Sequence, residues 1–192
     1  MNLVTKQAAG GIGELYVFSE LLKRGATPYV PLVSDGVDAL VRTATGQIIE
    51  LQIKSGGGAG GKTSDWFQVA TVNPRKNFFI IGVEFDNSEP DNAWIFPSFV
   101  FDKYANRPPK GSPRDLDLDS GTRKYGMALR DLLCGFCNRW ELIIHYEKYE
   151  SLVESVEDLE DLLTMQEALE SPEEDSVSIE EYERRRSATL SD

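Results

Sequence analysis

Three polar side chains interrupt an otherwise apolar run. In Gln47-Ile48-Ile49-Glu50-Leu51-Gln52-Ile53-Lys54-Ser55, Glu50, Gln52 and Lys54 alternate with Ile49, Leu51 and Ile53. Side chains of a strand alternate between its faces at about 3.3 Å per residue, so the polar three share one face and the aliphatic three look into a core. Polar groups at such positions cost free energy unless they are partnered or used. The preceding stretch, Val37-Asp38-Ala39-Leu40-Val41-Arg42, reads as a neighbouring strand that opens with an acid. A carboxylate beside an amide and an ammonium suits a hard divalent cation held against a phosphodiester, with positive charge ready for the attacked phosphorus. Plainer roles exist as well. Asp38 also fits a turn-adjacent acid capping its own backbone, and Lys54 an ordinary strand-end lysine protecting an edge.

Other elements must bring these residues together. Residues 5–24 read as an amphipathic helix, with Thr5 as N-cap and Ile12, Leu15, Val17, Phe18, Leu21 and Leu22 at helical spacing. Lys23-Arg24-Gly25 is a C-terminal stop. Gly10, Gly11 and Gly13 inside that helix each cost about 0.5–1 kcal/mol against Ala, which calls for close approach of a backbone or a ligand. Downstream, Thr27 to Pro31 is extended and Ser34-Asp35-Gly36 is a turn, with Asp35 a turn residue. Further strands are expected at Trp66–Val72, at the almost wholly apolar Asn77–Phe85, and at Ala93–Phe101, where Pro97 marks an edge or bulge. Residues 105–124 read as loop, 125–136 as helix and Trp140–Tyr146 as a last strand.

Charge divides the chain. Residues 147–192 hold 16 acids and 4 bases, which accounts for the whole net charge of −12, while residues 1–146 are balanced. The neutral body, with Lys54, Lys62, Arg75 and Lys76 in or near expected loops, permits a phosphate-binding face. The acidic segment reads as a helical appendage, either solvated or competing with a polyanion for that face. No run reaches the roughly 18–20 apolar residues of a membrane span, and no signal peptide opens the chain. Two cysteines imply no disulfide framework and a cytoplasmic setting.

A helix, then a strand with an acid, then a strand with an acid or amide two residues before a lysine resembles the PD-(D/E)XK nuclease superfamily. Its small restriction-endonuclease-like and Holliday-junction-resolvase-like members are the most similar. The resemblance rests on Gly13-Glu14, Leu21, Leu22, Gly25, Gly36 to Val41, Leu51 to Ser55, the apolar run 78–85 and Trp94 to Ser98, and covers roughly residues 8–100. It implies an α/β fold with a restriction-endonuclease-like mixed central sheet flanked by helices over residues 1–148, followed by an acidic helical tail over 149–192. It implies metal-dependent cleavage of DNA, with Mg2+ or Mn2+ as cofactor and DNA as partner; enzymes of this kind often pair as homodimers. Asp38 would ligate the metal, Lys54 would orient the attacking water and offset charge, and Glu14 and the carbonyl of Ile53 would complete the shell. Lys62, Arg75 and Lys76 would meet DNA phosphates. Gln52 stands where the superfamily usually has Asp or Glu, and Glu50 on the same face is a candidate to supply the missing carboxylate. A degenerate nuclease fold that only binds nucleic acid or protein is the alternative.

Two other motifs are present. Gly56 to Thr63 matches the phosphate loop of NTPases. Against it, the preceding strand is polar on one face and the residues after it are aromatic and β-branched, whereas that motif needs a buried strand and a helix. Cys134-x-x-Cys137 lacks a second pair, and the single histidine, His145, falls in the apolar run 140–146, so no zinc site is expected.

Overall fold

The computed structural model describes residues 6–33, 36–56, 66–70, 72–86, 89–106, 113–119, 121–153, 158 and 161. Thr5, Ser34 and Asp35, expected to cap the first helix and to form a turn, lie outside them. Helix α1 (Lys6–Lys23) comes first and its end is built from the chain's own signal. Gly25 takes φ +79, its N–H bonds to Leu22 O at 3.0 Å and that of Ala26 to Leu21 O at 3.0 Å, a Schellman closure that satisfies the last carbonyls. Val17 and Leu21 are fully buried, while Leu15 and Leu22, expected on the same face, point outward.

A five-stranded mixed sheet forms the centre. Its strands are β1 (Thr27–Tyr29), β2 (Ala39–Arg42), β3 (Ile48–Ser55), β5 (Phe78–Asp86) and β6 (Glu89–Pro97), in that spatial order. Every pairing is antiparallel except β3 with β5, which run parallel. The crossover between them contains β4 (Trp66–Val69). Strand β5 is buried over Phe78 to Phe85, as its apolar run requires at the centre of a sheet.

The two faces of the sheet receive different covers. On one, Gly13 of α1 lies against Ser55 and Val83. The absent Cβ explains this glycine, since one placed there would stand 2.2 Å from Ser55 Oγ, which donates to Ala9 O at 3.0 Å. The other face carries Gln52, Lys54, Ile80 and Gly82 and is covered by a ribbon of β4 and β7 (Arg114–Asp117). Phe67 of β4 seats on Gly82, where a Cβ would come within 2.6 Å of its ring. A mixed central sheet flanked by helices is the fold, as the sequence indicates, and a strand ribbon lies over part of one face.

Beyond β6 the structure departs from expectation in four places. The strand ends at Pro97, whose φ of −52 opens helix α2 (Ser98–Tyr104), so Ser98 to Phe101 is helical. Segment 105–124 contains β7 and β8 (Arg123–Lys124), and β8 pairs with β9 (Met127–Ala128). Only Leu129–Leu132 of the expected helix forms α3, before a 3-10 turn at Cys134–Phe136. Trp140–Tyr146 is not a strand: α4 (Glu141–Ile144) and α5 (Tyr146–Tyr149) occupy it. Leu142, Ile143 and Tyr146 are buried, which is helical spacing, and a short apolar run does not by itself distinguish a strand from a buried helix. Packing continues past residue 149, with Val153 buried and Glu150 accepting from Gln47 Nε2 at 3.0 Å. The acidic tail beyond falls almost entirely outside the described residues.

Candidate active site

The site assembles where β2 stops short of β3. Ala39 pairs with Leu51. The paired register ends there, and the Asp38 N–H also reaches Leu51 O, at 2.8 Å. Past Leu51, where the pairing of β3 with β2 ends, the Asp38 side chain takes over, with Oδ2 accepting the Ile53 N–H at 2.7 Å. A carboxylate is thereby fixed against the strand; it caps a neighbouring strand rather than its own turn. The N–H and C=O of a strand residue point to the same edge, so the Ile53 carbonyl is directed toward Asp38 as well.

Lys54 completes a second contact with that oxygen, its Nζ 3.7 Å from Asp38 Oδ2, both side chains half-buried. Gln52 lies between them in sequence and is only 6% exposed. Its Oε1 is buried and has no hydrogen-bond partner among the described residues. Gly36, at φ +104, brings the chain past its amide: a Cβ there would stand 3.5 Å from Gln52 Nε2. Gln52 and Lys54 open into a cleft of about 410 Å³ whose other walls are Gln68, Ala70 and Pro113. Gln68 and Pro113 were not anticipated. The one available signal was Gln68 itself, a polar residue alternating with Phe67 and Val69 in a strand.

The remaining expected residues are placed differently. Glu14 is exposed on α1, one residue beyond the glycine that packs on Ser55. Glu50 shares a face with Gln52 but forms an ion pair with Arg75, whose guanidinium also lies over the Phe78 ring at 4.3 Å. The Arg75 N–H further bonds to Ser98 Oγ at 3.0 Å. Glu50 and Arg75 thus meet each other, and both side chains remain partly exposed. Lys76 is exposed in the turn before β5, and Lys62 lies outside the described residues, as does most of the glycine-rich loop 56–63. The first element after that loop is strand β4, where a phosphate loop would lead into a helix.

Among the described residues no three His, Cys, Asp or Glu side chains gather into a metal-binding group. His145, expected within a strand, is exposed at the junction of α4 and α5. Cys134 and Cys137 form no disulfide. Besides Asp38, the oxygen donors of the expected set on β3 are the Gln52 amide and the Ile53 carbonyl. All are hard oxygens of the kind Mg2+ and Mn2+ accept, with one formal charge among them.

No protein-family model matches the chain. No curated protein matches it significantly. Among solved structures its fold is similar to that of a bacterial homing endonuclease, with a TM-score of 0.52 and 19% identity over 77% of this chain and 96% of that one. At that identity the likeness is one of fold.

Proposed function

We propose that this protein is a metal-dependent endodeoxyribonuclease built on the PD-(D/E)XK plan, with Gln-x-Lys in place of the usual acid-x-Lys. The observation that carries the reading is the buried Gln52 Oε1, without a hydrogen-bond partner among the described residues, on the strand whose Lys54 pairs with Asp38 and shares with Gln52 the lining of an open cleft. A buried acceptor left without a partner costs about 1–3 kcal/mol; Gln47 Oε1 and Trp94 Nε1 are in the same condition elsewhere in the fold, and Gln52 is the one that lines the cleft. A cation held by Asp38, Gln52 and the Ile53 carbonyl would satisfy it. Glu14 is the further ligand the superfamily resemblance suggests. Similarity of fold to a homing endonuclease supports the same reading.

Each residue then has a definite task. The Ile53 N–H locks one Asp38 oxygen, which fixes the carboxylate's direction. Gln52 supplies a neutral oxygen from a position too buried to wander. Lys54, on the same face, places an ammonium where charge grows on the attacked phosphoryl group and where a water can be oriented by hydrogen bonding. A bound Mg2+ or Mn2+ would supply Lewis-acid polarisation and lower the pKa of a coordinated water. The substrate would be DNA, and a homodimer would let two such sites cut both strands.

Incubating plasmid and branched DNA with Mg2+ or Mn2+ tests this. Cleavage is expected, with Lys54→Ala reducing it at least about 100-fold while the thermal unfolding curve is retained. Thermal stabilisation by Mn2+ alone, lost in Asp38→Asn, gives a readout independent of turnover. The scarcity of acids at the site favours a second reading, a non-cleaving module that binds DNA through the same face. DNA binding without cleavage or metal-dependent stabilisation would select it.

A further inference from the structure

The ribbon of β4 and β7 does more than close the core. Its inner side holds Phe67, Val69 and Leu116, all buried, and the Phe67 ring on Gly82 fixes its height above the sheet. Its outer side carries Trp66 and Gln68 on β4, with Asp117 and Asp115 directly across on β7. Gln68 is the member that lines the cleft shared by Gln52 and Lys54. It is exposed, and no described residue hydrogen-bonds its amide. Nothing in the packing requires a carboxamide there, and strands do not favour one.

We propose that Gln68 is a specificity-determining residue, reading the major-groove edge of an adenine next to the phosphate seated at Lys54. This rests on the nuclease reading above. A carboxamide presents a donor and an acceptor side by side, the complement of adenine N7 and N6, and a two-stranded ribbon fits a major groove about 12 Å wide. Charge separates base reading from backbone binding here. Asp115 lies opposite Gln68, its Oδ2 held by Asn106 Nδ2 at 3.0 Å, and Asp117 lies opposite Trp66. Two carboxylates repel a phosphate backbone, but they accept hydrogen bonds from base amino groups such as cytosine N4. An uncharged Gln68 adds little to phosphate affinity, so its contribution falls on sequence.

A duplex library randomised in sequence, cleaved by the full chain with Mg2+ or Mn2+ and sequenced at the new ends, tests the assignment. The wild type is expected to prefer A at one position near the cut. Gln68→Ala should flatten that preference by about 10- to 100-fold, and Gln68→Arg should move it toward G. Thermal unfolding of each variant checks that the fold is kept. A preference unaltered in both variants, a loss equal for all four bases, or a wild type indifferent to sequence would each overturn the assignment while leaving the nuclease reading intact. A wild type that neither binds nor cuts DNA would overturn both.

Discussion

Asp38 and Gln52 show how one residue can be held in place by the fold while another is left wanting. Asp38 Oδ2 spends one lone pair on the Ile53 N–H at 2.7 Å, a bond that secures β2 to β3 whether or not a ligand is bound. Gln52 gives the fold no comparable return, since its Oε1 is buried and has no hydrogen-bond partner among the described residues. Replacing it with an apolar residue of similar shape should therefore help the fold and harm the function. Gln52→Met is expected to raise stability by about 1 kcal/mol in denaturant titration and to abolish both DNA cleavage and stabilisation by Mn2+. A destabilised Gln52→Met would mean that the amide has a structural partner after all. The two cysteines offer a prediction of another kind. Burial, and then the Glu84 carboxylate, push the Cys137 thiol up to about 11, whereas Cys134 is exposed. The thiolate is the nucleophile, so Cys137 stays protonated at neutral pH and its reactivity rises with pH toward that value. Timed alkylation with mass spectrometry should label Cys134 first at pH 7.5 and narrow the difference at pH 10.

At the scale of elements, the glycines divide by what they touch. Gly10 and Gly11 have open space where a Cβ would go, so Ala at either should stabilise α1 by about 0.5–1 kcal/mol. Gly82 is the opposite case. Its neighbours are rigid ring atoms of Phe67 at 2.6–2.7 Å, and Gly82→Ala must lift the ribbon from the sheet. We expect that change to cost about 1–3 kcal/mol in thermal or denaturant unfolding, with the base preference near the cut weakened because Gln68 rides on the same strand. Equal tolerance of Ala at positions 10 and 82 would contradict this packing.

Across the whole molecule, the segment after β6 is tied to the sheet by a buried charge. Glu84 is 4% exposed and lies where the pairing of β5 with β6 slips between Val83 and Phe85. Arg130 of α3 reaches Glu84 Oε1 at 2.6 Å and lies over the Trp94 ring at 5.2 Å. On the same stretch of β6, Asn138 Oδ1 accepts the Ala93 N–H at 2.9 Å. Removing one partner of such a pair strands the other, so Arg130→Ala should destabilise by about 1–3 kcal/mol, at the lower end because the guanidinium is partly exposed. The double change Arg130→Ala with Glu84→Gln should recover part of the loss in urea titrations. Additive losses would show that the pair is not what anchors this segment.

Much of this protein was legible in its residue order. The alternation Ile49, Leu51, Ile53 against Gln52 and Lys54 is local, and a strand's period of two assigns the faces without further information. The stop at Gly25 and the buried strand Phe78–Phe85 were legible for the same reason, since each depends on a short stretch of its own chain. Three things were not. Whether Trp140–Tyr146 becomes helix or strand is decided by what it packs on, because a short apolar run satisfies either period. The pairing of Glu50 depends on Arg75, which stands 25 residues away in sequence. The cleft itself needs Gln68 and Pro113 brought over β3 by a ribbon whose strands are separated by a long connection. Local periodicity assigns faces to side chains, but which distant segment comes to lie on a face is set by closing the sheet and filling its core.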